Sequence, residues 1–183
     1  MSEISDLHSL VLILKKARRE GWVERNLDAD SIADHSYGAI VIGWYIATEE
    51  NVDVDKVIKI LLVHDLVMAK MEDVTPLTGK YDKKREIEEG AKKSIAELIP
   101  GELKRKYLDL FGEFNEDKSP EAIVAREADK LETLLQGEDY EIRTGRTDVI
   151  SEQLEYYLKY FKTQTGKRIH QEIKKRHEER KNE

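Results

Sequence analysis

Residues 56–76 read KVIKILLVHDLVMAKMEDVTP, and this stretch decides the fold. From Val57 to Met68 it is almost uninterrupted apolar residue, with His64 and Asp65 side by side in the middle. A helix that is apolar nearly all round belongs in the centre of an all-helical domain. Two ionisable side chains placed there carry a desolvation cost unless something binds them, and a metal ion would bind both. The competing interpretation is a His–Asp pair at a helix end, with each side chain satisfied by backbone or water.

The composition indicates one domain that folds without disulfides. The chain has 183 residues, enough to bury a core, and no cysteine, which excludes disulfides, zinc–thiolate sites and thiol nucleophiles. Charged residues of both signs make up 38% of the chain and the net charge is −7, which argues against a nucleic-acid binder. No apolar run reaches the ~18 residues of a membrane span and Met1–Asp6 does not begin a signal peptide. We therefore expect a soluble cytoplasmic protein with no membrane partner.

Apolar residues recur at helical spacing along the chain, and no segment shows sustained period-two alternation, so the expected fold class is all-α. We expect helices over residues 3–19, from Asp30 or Ser31 to about Thr48, and from Asp53 to about Lys70. A loop over residues 71–81 separates these from helices at 87–98, 103–114, from Ser119 onward, at 149–161 and from 167 to the end. The last helix has only Ile169 and Ile173 as apolar anchors, which predicts a solvated helix that frays. His8, His170 and His177 have no partner pattern and are expected on the surface.

Four residues could together hold a metal ion: His35, His64, Asp65 and Asp129. His35 falls in the first turn of its predicted helix, and Asp129 lies close to the apolar side of a later one. Two imidazoles and two carboxylates suit one divalent ion among Mn²⁺, Fe²⁺, Co²⁺, Ni²⁺ and Zn²⁺. The spacing alone does not bring these helices together.

The order His35, His64-Asp65, Asp129 resembles the pattern of the HD-domain metal phosphohydrolases, and the surrounding motifs resemble their 5′-deoxynucleotidase branch. The matching stretches run from about Arg19 to Glu141: Gly21-Trp22, Arg25-Asn26, Ser31-Ile-Ala-Asp-His35-Ser36, Asp73-Val-Thr-Pro76, Asp129-Lys-Leu-Glu132, Gln136 and Tyr140-Glu141. The resemblance implies a single-domain helical bundle over residues 1–183. Its metal-ligand core would span about 31–140, followed by C-terminal helices over 147–183.

The resemblance also implies roles for individual residues. His35, His64, Asp65 and Asp129 would hold the metal, and Asp65 would also take part in the chemistry. Arg19 would meet the phosphate of a nucleoside monophosphate, Trp22 would line the sugar pocket, and Asp73 would face the deoxyribose. Arg25 and Lys80 are further phosphate candidates. The alternatives are ordinary solvated arginines at positions 19 and 25 and simple core packing for Trp22. A homodimer is implied by the family alone.

The sequence departs from the family at position 68, where a methionine stands in place of the glutamate that handles the attacking water. Losing a general acid–base group costs ~10²–10⁴ in rate, although a metal still activates water. Glu72 lies one helical turn beyond Met68 and is an imperfect substitute. Three functions follow in order of preference. The first is a metal-dependent phosphohydrolase that removes the 5′-phosphate of (deoxy)nucleoside monophosphates. The second is a weakened relative that binds metal and nucleotide without efficient hydrolysis, and the third is a helical interaction module.

Overall fold

The computed structural model describes residues 3–71 and 84–182, and most of these residues are helical. The α-helices are α1 (Glu3–Leu14), α2 (Glu20–Val23), α3 (Ile32–Glu49), α4 (Val54–Val63), α5 (Lys84–Leu98), α6 (Gly101–Glu116), α7 (Pro120–Thr144), α8 (Ser151–Tyr157) and α9 (Gln164–Lys181). Two 3₁₀ helices follow α4 and α8, at Leu66–Ala69 and Leu158–Tyr160. Extended pairing within the described residues is limited to one isolated antiparallel bridge between Arg18 and Ser31. The all-α prediction is confirmed.

The backbone divides into two compact units. The first contains Met1–Ser36 and Leu62–Gly112, and the second contains Tyr37–Leu61 and Glu113–Glu183. The expectation of one HD domain over residues 1–183 stays a prediction. No helix among the described residues is both long enough and apolar enough to cross a membrane.

The first unit is built on one apolar cluster. Helices α1, α5 and α6 and the first 3₁₀ helix contribute the buried side chains, which include Leu10, Leu14, Val67, Ile95, Tyr107 and Phe111. Met68 is half-buried and packs against this cluster. The segment that follows the His–Asp pair is therefore fixed by core packing.

The second unit is organised around α7, the longest helix described. Ser119 begins it as predicted: its hydroxyl accepts a hydrogen bond from the backbone N–H of Ala122 at 3.1 Å, and Pro120 occupies the first turn. Gly145 ends the helix in the left-handed conformation, with φ of 70°. Helix α4 approaches α3 at Gly43, where a Cβ atom would meet Leu61 and would lie 3.1 Å from Val57. A glycine is therefore required at this crossing.

The C-terminal helix differs from the prediction. Helix α9 begins at Gln164 and contacts α7 and α8, and its Ile173, His170 and His177 side chains are all at most 3% exposed. His177 bonds to Glu141 of α7, and His170 bonds to the Leu154 carbonyl of α8. The expectation of a frayed, solvated helix is wrong, as is the surface placement of His170 and His177; His8 is exposed as expected. Apolar periodicity misses such a helix because histidine and arginine side chains make much of the contact.

The stretch around His64 also differs. The expected helix from Asp53 to Lys70 is broken: α4 ends at Val63, His64 and Asp65 lie in a turn, and a 3₁₀ helix follows. Helix α4 is not buried on every side either, because Leu62 is 61% exposed. The first helix likewise stops at Leu14 rather than at position 19, and the short helix α2 lies between it and α3.

Candidate metal centre

His35 is positioned by the start of α3. The Ser31 hydroxyl accepts a hydrogen bond from the Asp34 backbone N–H at 3.1 Å, and the Asp34 carboxylate accepts one from the Ser31 backbone N–H at 3.0 Å. This reciprocal pair is a capping box. The Ser31 hydroxyl also donates to Asp34, and these bonds hold the pKa of the Asp34 carboxyl below its ordinary value. His35 follows directly and is 3% exposed, so its ring is held in the interior of the first unit.

Asp65 lies between two buried imidazoles. One of its carboxylate oxygens, Oδ2, is 3.4 Å from His64 Nε2 and 3.7 Å from His35 Nε2. The two imidazole rings have centroids 5.8 Å apart and are inclined at 58°. His64 is buried, whereas the Asp65 side chain is 24% exposed. Two imidazoles and a carboxylate so placed form a His/His/Asp group with the chemistry of a divalent metal site.

Arg19 contacts the first of these histidines directly, through its Nη1 atom and His35 Nδ1. A guanidinium group can only donate hydrogen bonds, so His35 Nδ1 accepts and carries no proton. The residue predicted to meet the phosphate is therefore adjacent to a predicted metal ligand.

Asp129, the fourth predicted ligand, lies on α7 in the second unit and is 7% exposed. Its Oδ2 atom is 2.9 Å from Lys130 Nζ, and its backbone carbonyl accepts a hydrogen bond from the Thr133 hydroxyl. Burial lowers the pKa of Lys130, but the charge of Asp129, the Tyr157 hydroxyl and the hydrogen bond to Asp129 together outweigh burial and raise the pKa above its ordinary value. Asp129 is thus a buried carboxylate paired with a neighbouring ammonium.

The remaining predicted residues fall into two groups. Trp22 is 2% exposed, which fits the core-packing alternative, and the Arg25 guanidinium lies 5.8 Å from the centroid of its ring. Arg25 also donates a 2.7 Å hydrogen bond to the Gly21 carbonyl. Glu72, Asp73 and Lys80, like most of the loop expected over 71–81, lie outside the described residues.

Sequence reasoning missed Lys130. Its ammonium lies over the rings of Tyr157 and Tyr160, at 5.3 and 5.7 Å from their centroids, as well as beside Asp129. In the sequence, the one indication of a role for Lys130 is its position next to Asp129. A lysine beside an aspartate on a helix is usually solvated, so this position alone did not mark Lys130 as part of a site.

Comparison with known proteins identifies the family. A family model described as "HD domain" matches residues 11–177. The chain belongs to the HD domain family. The resemblance inferred from the His35, His64-Asp65 and Asp129 motifs is therefore confirmed.

Other HD domain relatives are similar over most of this chain. The 5′-deoxynucleotidase HDDC2 of Mus musculus is 32% identical over 134 residues, which cover 72% of this chain and 67% of that protein. The 5′-deoxynucleotidase HDDC2 of Danio rerio is 30% identical over 176 residues, covering 94% of this chain and 84% of that protein. The crystal structure of a protein from Pyrococcus horikoshii OT3 is 29% identical with a TM-score of 0.76, covering 94% of this chain and 96% of that one.

Proposed function

We propose that this HD domain protein is a divalent-metal-dependent phosphohydrolase that removes the 5′-phosphate of deoxynucleoside monophosphates. The observation that carries the proposal is the placement of Asp65 between His35 and His64 in a chain of this family. The names of the mouse and zebrafish relatives, both 5′-deoxynucleotidases, supply the substrate class. They favour the enzyme over the weakened nucleotide binder.

The proposed ligands of the metal are His35, His64, Asp65 and Asp129. The proposal is supported by burial, since His35, His64 and Asp129 are all buried and each offers one ligand atom. The donor set of imidazole nitrogens and carboxylate oxygens suits Mn²⁺, Fe²⁺, Co²⁺, Ni²⁺ or Zn²⁺. A divalent ion bound there supplies Lewis acidity toward a phosphate oxygen and lowers the pKa of water.

Arg19 is the proposed phosphate-binding residue. Its contact with His35 places a guanidinium beside the ligand set, and a guanidinium matches the geometry of a phosphate group. Arg25 is a weaker candidate because its Nη1 atom is hydrogen-bonded to the Gly21 carbonyl. The roles suggested for Trp22, Glu72, Asp73 and Lys80 rest on the family resemblance. The homodimer and the cytoplasmic location also stay predictions.

The test measures phosphate release and bound metal on the same samples. Purified protein is assayed on a panel of deoxynucleoside and ribonucleoside 5′-monophosphates, with and without each divalent metal. We expect metal-dependent release that is lost in His64→Ala together with the bound ion. His8→Ala is the matched control, since His8 is exposed and should leave both quantities unchanged. Full metal content in His64→Ala would contradict the ligand assignment, and no release from any nucleotide by the metal-loaded parent would contradict the activity.

A further inference from the structure

Three side chains of the second unit form a chain of hydrogen bonds that the proposed phosphohydrolase does not use. Ser151, the first residue of α8, has its hydroxyl oxygen 3.0 Å from His177 Nε2. The other ring nitrogen of His177, Nδ1, lies 2.9 Å from Glu141 Oε2. His177 and Glu141 are 3% and 1% exposed, respectively. A hydroxyl, an imidazole and a carboxylate in this order are the parts of an activated serine nucleophile.

The partners of His177 determine the tautomer of its neutral ring. A carboxylate accepts hydrogen bonds but cannot donate one when ionised, so His177 Nδ1 carries the ring proton and donates it to Glu141. The Nε2 atom of the neutral ring is then an acceptor, and Ser151 donates its hydroxyl proton to it. This is the tautomer that a general base needs in order to take a proton from serine.

The Glu141 carboxylate is itself held in place. Its Oε1 atom accepts a hydrogen bond from the backbone N–H of Ile150 at 3.2 Å, and its Oε2 atom also accepts one from Arg180 at 3.2 Å. Ile150 directly precedes Ser151, so one buried carboxylate orients both the base and the segment that carries the nucleophile. The Arg180 guanidinium is a charged donor to the same oxygen that faces His177, so it helps to hold that oxygen in place.

Ser151 and His177 both line a cavity of about 380 Å³. Leu154 supplies an apolar wall, and Lys181 and Glu178 supply charges of both signs. This volume lies near the lower end of the ~300–1,000 Å³ range of small-molecule sites. The size and lining therefore suit a short-chain, polar carboxylic ester.

We infer that Ser151, His177 and Glu141 form a second, metal-independent hydrolytic site for short-chain carboxylic esters. In the first step the Ser151 oxygen bonds to the ester carbonyl carbon, His177 takes the serine proton, and the alkoxide leaves with that proton as an alcohol. Water then adds to the acyl-serine with His177 again as base, which releases the carboxylic acid and restores Ser151. The net reaction is ester plus water to acid plus alcohol.

A fluorophosphonate reagent tests the nucleophile directly. The serine oxygen would bond to phosphorus with loss of fluoride, and mass spectrometry of the digested protein locates the adduct. We expect labelling at Ser151 in the presence of a metal chelator, absent in Ser151→Ala and retained in Ser94→Ala, whose hydroxyl is exposed and bonded to the Gly90 carbonyl. A folded parent that carries no adduct at Ser151 would overturn the inference. Labelling in the chelator also separates this site from the proposed metal centre.

The role of His177 is tested separately. In a His177→Gln variant shown to be folded by circular dichroism, the labelling rate at Ser151 should fall by ~10²-fold or more, and an unchanged rate would overturn the role of His177 as base. If that variant does not fold, Ser151→Cys provides the test, because the parent contains no cysteine. Its thiol should react with iodoacetamide at neutral pH ~10-fold faster than the thiol of Ser94→Cys, since a neighbouring histidine promotes the thiolate. Equal rates would mean that the three residues only join α9 to α7.

Discussion

Gly166, near the start of α9, offers a sharp test of how the second unit is assembled. The Glu127 side chain is fully buried and accepts hydrogen bonds from the backbone N–H groups of Lys162 and Thr163 and from the Thr163 hydroxyl. These are the groups that precede α9. A Cβ atom on Gly166 would overlap Glu127 Oε2 and lie 2.7 Å from its Cδ atom. We predict that Gly166→Ala is strongly destabilising.

The size of the effect follows from what must move. Overpacking a buried site costs ~1–3 kcal/mol. Glu127 is enclosed, so it can withdraw from the new methyl group only by giving up one of its bonds to Lys162 or Thr163, and a bond to a charged group contributes ~1.5–3 kcal/mol. Overpacking and the loss of a Glu127 hydrogen bond partly replace one another, so their costs do not add in full. We expect a loss of about 2–4 kcal/mol in the free energy of unfolding. For a chain of this length that lowers the melting temperature by roughly 5–15 °C.

Urea and thermal denaturation measure the change, with Gly90→Ala as the matched control. A Cβ on Gly90 meets nothing within 4 Å, and Gly90 lies inside α5, so alanine should stabilise by ~0.5–1 kcal/mol there. Glu127→Asp retracts the carboxylate by one methylene, so Gly166→Ala should cost at least ~1 kcal/mol less in that background. Gly166→Ala as stable as the parent, or an equal loss in both backgrounds, would refute the assignment of the contact to Glu127.

Three further predictions concern other sites. Glu138→Gln should lower the unfolding free energy by ~3 kcal/mol in urea titrations, because the buried Glu138 carboxylate pairs with Arg176 at 2.7 Å and Arg180 at 2.8 Å. The variant removes this charge from both arginines and leaves Arg180 paired with Glu141. Burial raises the pKa of Glu138 but the two arginines outweigh it, so the pKa is lowered. This contribution should therefore be complete above the ordinary pKa of 4.5, disappear as the pH falls through the folded-state pKa, and be absent from the Gln variant. Met68→Glu supplies the glutamate of the family pattern and should raise metal-dependent phosphate release ~10-fold. It should also lower the melting temperature, because position 68 packs against the apolar cluster of the first unit. An unchanged rate of phosphate release in a folded variant would contradict an acid–base role for this position. Arg19→Ala should weaken nucleotide binding by calorimetry and reduce its dependence on salt, and unchanged affinity would remove Arg19 from the phosphate site.

Much of the helical architecture was predictable because caps and apolar periodicity act locally. Ser119 and Pro120 specify the start of α7, and the Ser31–Asp34 pair specifies the start of α3, without help from distant residues. The placement of α9 was not predictable in this way. His177 and Arg180 form hydrogen bonds with the Glu141 carboxylate of α7. A prediction based on apolar periodicity assigns histidine and arginine to the solvent-exposed face of a helix.

The sequence indicated which residues form the candidate site, but it did not indicate how those residues are arranged. The motif singled out His35, His64 and Asp65, and the structure brings these three together. The contact between Arg19 and His35 joins segments 16 residues apart, and it depends on where α1 ends and α2 begins. Residue spacing along the sequence does not predict such a contact. The sequence likewise does not indicate that Asp129 is paired with a half-buried lysine.

The break in the helix at His64 explains why the prediction failed there and why the site can exist. Adjacent residues of an α-helix project about 100° apart, so a His-Asp dipeptide inside a regular helix could not direct both side chains at one point. Helix α4 ends at Val63, and Asp65 takes φ of −103° and ψ of 5°, in the bridge region where many active-site residues are found. This turn lets Asp65 Oδ2 approach His64 Nε2 to 3.4 Å, while Val67 and Ala69 of the following 3₁₀ helix pack into the apolar cluster of the first unit. The apolar residues that suggested one continuous helix instead fix the two ends of a turn, and that turn brings a histidine and its neighbouring aspartate together.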